Sequence, residues 1–518
     1  MRFPLMSKEK FVYLLYQKDF SEKGGDRYFV YEGDVFKEVN SEYVVNINCF
    51  IVTHDYWLIT NSLYKKHEKL PGKVVDINLL SRIVIGMKAT NGDTQTWDIS
   101  KTIKPIYLEK EDFDKYLSMY YRRTDLEDNI YMLFSHKLAE YSESLFDAAA
   151  KCGELSRFYA LELPIFNLFS LITAKGILVD NDIIKQHKLQ IRYDYYRKLK
   201  AFAEKHNVLY ELPIKEDIKD KLEELGYDTD NYSIDFIIDF LLSINGYTEE
   251  LRILRKLNKS YRVFNNITLN VKRIKPIVES HSTSTSRIYY KSPSIQNISK
   301  KYRDIFIAEE GKNLSYIDFD QFEVGIMAAL SSDEKMVEIY TNMDAYTDLS
   351  DVVFGRPDYR KQCKILFLSY TYGMSLANIL GSIEQLNGNS KNAQSYFSKF
   401  NVFDQWKKTL YEAYESTGKI ETICGNFLNR SREGELTDKE KRSAVSHVVQ
   451  GTGAYIFKNA ILNISTEEDV DILIPMHDAV LIQHPDSYDP KSAVNIFENT
   501  MTSILKAKIT GKASIEKF

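Results

Sequence analysis

Two aspartates stand where charge is expensive. Asp318 follows the apolar run of LSYI and opens DFDQFE, where the pattern turns helical at once. Asp478 lies in PMHDAVLI, between two short apolar runs. A carboxylate with apolar neighbours needs a cation or hydrogen-bond donors close by. Two carboxylates meeting at one point suit Mg²⁺, which takes a few carboxylates and completes its shell from substrate phosphates. A pair of such ions activates an attacking oxygen and stabilises a leaving one in an in-line displacement. Taken singly, each aspartate has a plainer reading, Asp318 as a helix N-cap and Asp478 as a turn residue.

A second constellation lies in RKQCKILFLSYTYGMS, where Arg360, Lys364, Leu368 and Tyr372 recur at four-residue spacing. On a helix they form one slowly drifting stripe. Two cations and an aromatic on one face suit a triphosphate with its base behind, although a surface helix with an aromatic anchor carries the same residue types. From Leu251 to Arg303 there are thirteen Lys or Arg against the single acid Glu279, near +12 in a chain whose net charge is −5. This block is mixed with Tyr261, Phe264, Tyr289, Tyr290 and Tyr302 and with hydroxyl and amide side chains. A solvated surface would explain the charge; phosphate contact would explain the company it keeps.

These groups need elements to hold them. The 518 residues, 44% hydrophobic and 27% charged, suffice for two or more folded domains. No window approaches 18 uninterrupted apolar residues, so no membrane span is expected, and the charged N-terminus argues against a secretory signal. Cys49, Cys152, Cys363 and Cys424 lie far apart, which suits a reducing compartment without disulfides or zinc. Residues 1–110 alternate short apolar runs (YFVYEGDVF, YVVNINCFIVTH, KVVDINLL) with polar turns and predict a sheet. Helical periodicity dominates 113–270 and returns over 358–416. Asp217–Asn231 predicts a helix closed at Gly226. Residues 314–333 predict strand then helix, and DILIPMHDAVLIQH a hairpin with a tight centre. The class is α+β.

Five ordered stretches carry a resemblance to the family A DNA polymerases, the bacterial DNA polymerase I group. DFDQFE is similar to that family's DYSQIE, RKQCKILFLSYTYGMS to RxxxKxxxFxxxYGMS, and MHDAV to HDE. RSAVSHVVQGTGA resembles RxAxNxxxQGTAA, and TSTSRIYYKSPSIQNI, with FIAEEG after it, resembles TATGRLSSSDPNLQNI. The resemblance covers roughly residues 155–518. It implies a right-hand polymerase with palm, fingers and thumb, preceded by an N-terminal exonuclease-like (RNase H-like) α/β domain. The boundaries expected are 1–135 for that domain and 136–518 for the polymerase. Within the latter, the thumb falls at about 185–275, the palm at about 276–340 and 435–518, and the fingers at about 341–434. The Lys-, Asn-, Ile- and Tyr-rich composition suits an AT-rich genome, and a compact polymerase without a 5′ nuclease suits a phage-type member.

By the same resemblance, Asp318, Asp478 and the backbone carbonyl of Phe319 hold two Mg²⁺ ions, with Mn²⁺ able to substitute. Arg360 and Lys364 grip the incoming dNTP, and Lys364 donates a proton to the pyrophosphate that leaves. Glu323 is the steric gate against a ribose, and Tyr372 packs beside it. Gln321, Tyr346 and Leu368 complete the nucleotide site. Lys259, Arg287, Gln296, Asn297, Arg442, Gln450 and His477 contact primer-template DNA. Several positions depart from the pattern. Leu368 stands where the family has Phe or Tyr, Tyr346 replaces His, Ser446 replaces Asn, and Ala479 replaces an acid. An altered nucleotide pocket follows.

In the N-terminal region, ITNSLYKKHEKLPGKVVDINLLSRIVIG resembles the later half of a 3′–5′ exonuclease domain, and Tyr121–Asp125 fits its YxxxD element. Lys65 replaces the acid four residues after Asn61, and no DxE stands on an early strand. The fold is therefore expected without the nuclease, since a two-metal site needs more ligands; an unrelated cap domain is the alternative. No 5′ nuclease domain is expected ahead of it. The expected function is template-directed DNA polymerisation in a bacterial or phage-infected cytoplasm, with no membrane contact and any processivity partner left open. Rival readings are a nucleic-acid-binding relic without activity, an RNA-making relative, and a metal-dependent Asp-x-Asp glycosyltransferase. The last leaves MHDAV, the cationic stripe and the basic block unexplained.

Overall fold

The computed structural model describes residues 10–19, 25–33, 35–85, 110–119, 124–230, 232–240 and 246–518. Contacts group the chain into two compact units. The first takes residues through Ile177 together with Ile277–Tyr289 and Gly418–Glu433, and the second takes Leu178–Pro276, Tyr290–Thr417 and Gly434–Phe518. The sheet unit thus runs past residue 135 and takes in two later segments, of which 418–433 was expected in the fingers.

The first unit is built on a five-stranded sheet of β1 (Phe11–Gln17), β2 (Arg27–Glu32), β3 (Val35–Val39), β4 (Phe50–Thr53) and β5 (Val74–Asp76), in the order β3-β2-β1-β4-β5. The first three pair antiparallel, and β1, β4 and β5 run parallel. Side chains alternate across a strand, so Leu15 and Phe29 enter the core on one face while Leu14, Tyr16, Tyr28 and Val30 enter the other. Helix α1 (Trp57–His67) covers the second face through Ile59 and Leu63, and α2 (Ile77–Ile85) and α3 (Asp128–Lys151) cover the first. Two apolar runs are not wholly strand. The Asn40 side chain accepts the Tyr43 amide at 2.8 Å and starts a helix over Ser41–Val45. The run KVVDINLL breaks at Asp76, which accepts the Asn78 amide at 2.8 Å as α2 begins.

Among the described residues one helix, Leu155–Lys175, is long and apolar enough by length and composition to cross a membrane. Phe158 and Leu163 put it in the core of the first unit, and Arg157 and Glu162 on it are buried and paired. It is a core helix, with one widened turn at Phe158–Glu162 before α4 (Leu163–Lys175).

The second unit carries an antiparallel sheet of β6 (Lys312–Phe319), β7 (Asp471–Pro475), β8 (Ala479–Pro485) and β9 (Ala513–Glu516), in the order β7-β8-β6-β9. Ile317 and Phe319 face the core, where Phe319 stacks on Phe322 at 4.2 Å and on Phe497 at 4.5 Å. Helices α5 (Asn181–His206) and α6 (Gly246–Asn265) pack together, and Lys215–Glu224 forms the helix that stops before Gly226, at φ 82°. Helix α7 (Phe322–Ser331) passes so close to its neighbours that a Cβ on Gly325 would sit 2.8 Å from the Tyr340 ring. Helix α8 (Ala345–Phe354) precedes α9 (Arg360–Thr371), and α10 (Asp438–Ile464) opens on a capping box between Thr437 and Glu440.

Candidate active site

Period two along β6 explains why Asp318 can be where it is. Ile317 and Phe319 take the core side, so Asp318 shares the opposite face with Tyr316. It pairs with Ala479 on one side and Ser514 on the other. Helix α7 begins at Gln321, in the left-handed region at φ 48°, so Asp318 is not its cap. Across the sheet, the Met476 amide donates to the Ala479 carbonyl at 2.7 Å and closes a two-residue turn holding His477 and Asp478. The Phe319 amide donates to the Asp478 carbonyl at 3.2 Å. The three expected metal-binding positions are therefore backbone neighbours.

Their electrostatics are those of an acidic cluster. The Asp318 carboxyl is pushed up to about 8, first by burial, then by the charges on Asp478 and Glu516, with Lys300 opposing and Asp320 adding. Asp320 accepts a hydrogen bond from the Ser514 hydroxyl at 2.8 Å. Such a set disfavours its own charge and gains from a divalent cation. No group of three or more His, Cys, Asp or Glu with metal-holding geometry occurs among the described residues. Two carboxylates and a carbonyl fit Mg²⁺ nonetheless, because that ion draws the rest of its shell from water and phosphate.

The cationic stripe forms on α9 as its spacing predicts. The Arg360 guanidinium lies 5.5 Å and the Lys364 ammonium 5.6 Å from the centre of the buried Tyr346 ring. Burial, then the charges on Glu323 and Asp344, push the Tyr346 phenol up, and Arg360 opposes them. Glu323, Tyr346, Arg360 and Lys364 thus share one neighbourhood. Gln321 braces it, its amide donating to the Met343 carbonyl at 3.1 Å and its carbonyl accepting the Ala345 amide at 2.8 Å. Leu368 is half-buried one turn before the end of α9, where its carbonyl accepts the Tyr372 amide at 2.9 Å. Gly373, at φ 97°, turns the chain against α10. A Cβ there would lie 3.5 Å from Arg442 Cγ, and the Gln450 amide is 3.5 Å from the Tyr372 hydroxyl.

Gln296 and Asn297 sit in a short turn of helix, where the Gln296 side chain accepts the Tyr290 amide at 2.8 Å. Lys259 lies on α6 and His477 is exposed in the turn beside Asp478. Arg287 belongs to the first unit. Sequence reasoning missed Asp344, which grips Arg360 through both oxygens at 3.0 and 2.7 Å and caps α8 through the Thr347 amide at 2.8 Å. An Asp three residues before Thr at a helix start was the available signal. It also missed Lys300 and Glu516, which are paired at 2.7 Å and act on Asp318; they come from separate segments, with no local signal.

An acidic palm-like sheet beside a cation-bearing helix defines a polymerase fold. Residues 198–516 match the model of DNA polymerase family A, and the chain belongs to that family. It is 26% identical over 263 residues to DNA polymerase I of Pseudomonas aeruginosa, covering 45% of this chain and 28% of that protein. To DNA polymerase theta of Caenorhabditis elegans it is 28% identical over 242 residues, covering 43% of this chain and 15% of that protein. To the thermostable DNA polymerase I of Thermus aquaticus it is 27% identical over 228 residues, covering 39% and 27%. The matched region is thus less than a third of each relative's length. In fold the chain resembles the POL domain of Pol1 from M. smegmatis, solved in complex with DNA primer-template and dNTP. The TM-score is 0.74 at 17% identity, over 98% of this chain and 94% of that one.

Proposed function

We propose that the chain is a template-directed DNA polymerase, adding deoxynucleotides to a primer 3′-OH and releasing pyrophosphate. One observation supports the reading: Asp318 and the turn holding Asp478 are backbone neighbours, and the Asp478 charge acts on the Asp318 carboxyl. Asp318, Asp478 and the Phe319 carbonyl would hold two Mg²⁺ ions, or Mn²⁺ in their place. When bound, such ions lower the cost of charge on the attacking and leaving oxygens.

This chain's own residues bind and orient. Arg360 presents a planar fork to phosphate oxygens once it leaves Asp344, and Lys364 adds a mobile ammonium able to give a proton to the departing pyrophosphate. Tyr346, held by burial and Gln321, backs both cations. Glu323 borders the sugar, with Leu368 and Tyr372 behind the base. Gln296, Asn297, Arg442, Gln450 and His477, with Lys259 and Arg287, would meet primer and template, the basic groups through phosphates. We assign palm, fingers and thumb at the boundaries given above, mostly within the second unit, with 277–289 and 418–433 contributed by the first. The four cysteines of the chain are free, as suits the cytoplasm of a bacterial or phage-infected cell.

The first unit supports an exonuclease-like fold without nuclease activity. A sheet with one antiparallel and one parallel half supports the RNase H-like reading. Strand β1 carries no acid, and Lys65 stands on α1. Asp125 is engaged by Arg27 at 2.9 Å; Tyr121 lies outside the described residues. Extension of a labelled primer on a defined template, with and without Mg²⁺, tests the whole reading. No elongation in Mg²⁺ or Mn²⁺ would refute it.

A further inference from the structure

Ser286 occupies the left-handed region at φ 59°, a conformation that disfavours any side chain with a Cβ. The motif it resembles, TATGR, has glycine here. The Ser286 residue is 3% exposed, and its hydroxyl donates to Glu162 at 2.9 Å. Glu162 is itself fully buried and paired with Arg157 at 2.5 Å, and Arg157 also binds Glu154 at 2.6 Å. Glu154 in turn accepts the Asn426 amide at 2.6 Å, while the Asn426 side chain donates to the Ser284 carbonyl at 3.0 Å. The cluster therefore closes a ring through the widened helical turn, the 277–289 segment and the 418–433 segment, all within the first unit.

The turn it holds is short. The Ser286 amide donates to the Thr283 carbonyl at 2.8 Å, the Arg287 amide to the Thr283 hydroxyl at 3.3 Å, and the Ser282 amide to the Arg287 carbonyl at 3.1 Å. We propose that Ser286 is a positioning residue: its bond to the buried Glu162 fixes the 283–287 turn and so sets Arg287 for contact with primer-template. A hydrogen bond to a buried, paired carboxylate is strong enough to offset the backbone strain of one left-handed residue. The proposal rests on the DNA-binding reading of Arg287.

The test uses the full chain with Ser286→Ala, Ser286→Gly and Arg287→Ala, reading amide hydrogen exchange over 281–289 and steady-state extension kinetics. Ser286→Ala keeps the strain and loses the anchor. It should exchange faster over this turn and lose about tenfold in kcat/KM for primer-template, mainly through KM. Ser286→Gly relieves the strain but still lacks the anchor, so it should remain slower than the parent, by a smaller factor than the alanine variant. Unchanged exchange in Ser286→Ala overturns the proposal. So does faster exchange with unchanged KM when Arg287→Ala is impaired, or parental exchange and KM in the glycine variant. If Arg287→Ala itself extends primers normally, the DNA role of Arg287 fails, and the positioning role with it. Faster exchange in Ser286→Ala would then mark the anchor as structural only.

Discussion

The Phe319 amide donates to the carbonyl of Asp478 at 3.2 Å, so a residue of the central strand and a residue of the hairpin turn are locked side by side. Burial and like charge have already made the neighbouring Asp318 carboxyl reluctant to ionise, up to about 8. Asp318→Asn and Asp478→Asn should each lower kcat for extension at least about a thousandfold. Asp318→Asn should melt no lower than the parent in chelator, because it removes a repelled charge; calorimetry with and without EDTA checks this.

Arg360 rests on Asp344 through two hydrogen bonds, which its fork exchanges for phosphate oxygens when a nucleotide binds. Arg360→Ala should raise KM for dNTP about tenfold or more with a smaller fall in kcat, and Arg360→Lys should not restore it, since an ammonium cannot reproduce the fork. A single-nucleotide incorporation assay over a dNTP series separates the two.

Leu368 sits on the same stripe as both cations but offers no ring to a sugar or base. Leu368→Phe should change the ratio of kcat/KM between deoxy- and dideoxynucleotides, measured against ribonucleotides in parallel. Identical ratios in parent and variant would remove Leu368 from the pocket.

Arg27 spans Glu38, at 2.8 and 3.0 Å, and Asp125, at 2.9 Å, so a fixed cation already occupies the acid that a nuclease would use. The protein should remove no mismatched 3′ nucleotide in Mg²⁺, and Asp125→Ala should change nothing. Cleavage lost in that variant would show a working exonuclease.

Asp76 is wholly buried at the end of β5 and is pushed up to about 6, first by burial and then by the charge on Asp55. Its ordinary value is 3.8, so between those limits the folded state holds the proton more tightly than the unfolded one. Stability from this group must fall as pH rises through that window. The urea midpoint of Asp76→Asn relative to the parent should increase from pH 4 to pH 7 and then level off.

Much of the site was legible because its signals are local. DFDQFE shows its strand-to-helix switch within six residues, and the Arg360–Lys364–Leu368 spacing is itself the helix face. The hairpin around His477–Asp478 was readable from flanking apolar runs. What escaped depends on partners remote in the chain. Ser286 and Glu162 lie 124 positions apart, and no periodicity links them. Helix at Ser41–Val45 escaped for a different reason: five residues are too few to show a period, and the Asn40 cap decided the conformation.

The sharing of the 277–289 and 418–433 segments with the N-terminal sheet unit bears on how this protein can be cut. A fragment started at residue 136 or 178, in the hope of a free-standing polymerase, would strip these two segments of neighbours they were folded against. Asn426 would lose Glu154 and Ser286 would lose Glu162 in the 178 fragment, leaving polar groups stranded and apolar surface bare. A minimal version of this protein is better sought by trimming within loops than by deleting the front of the chain.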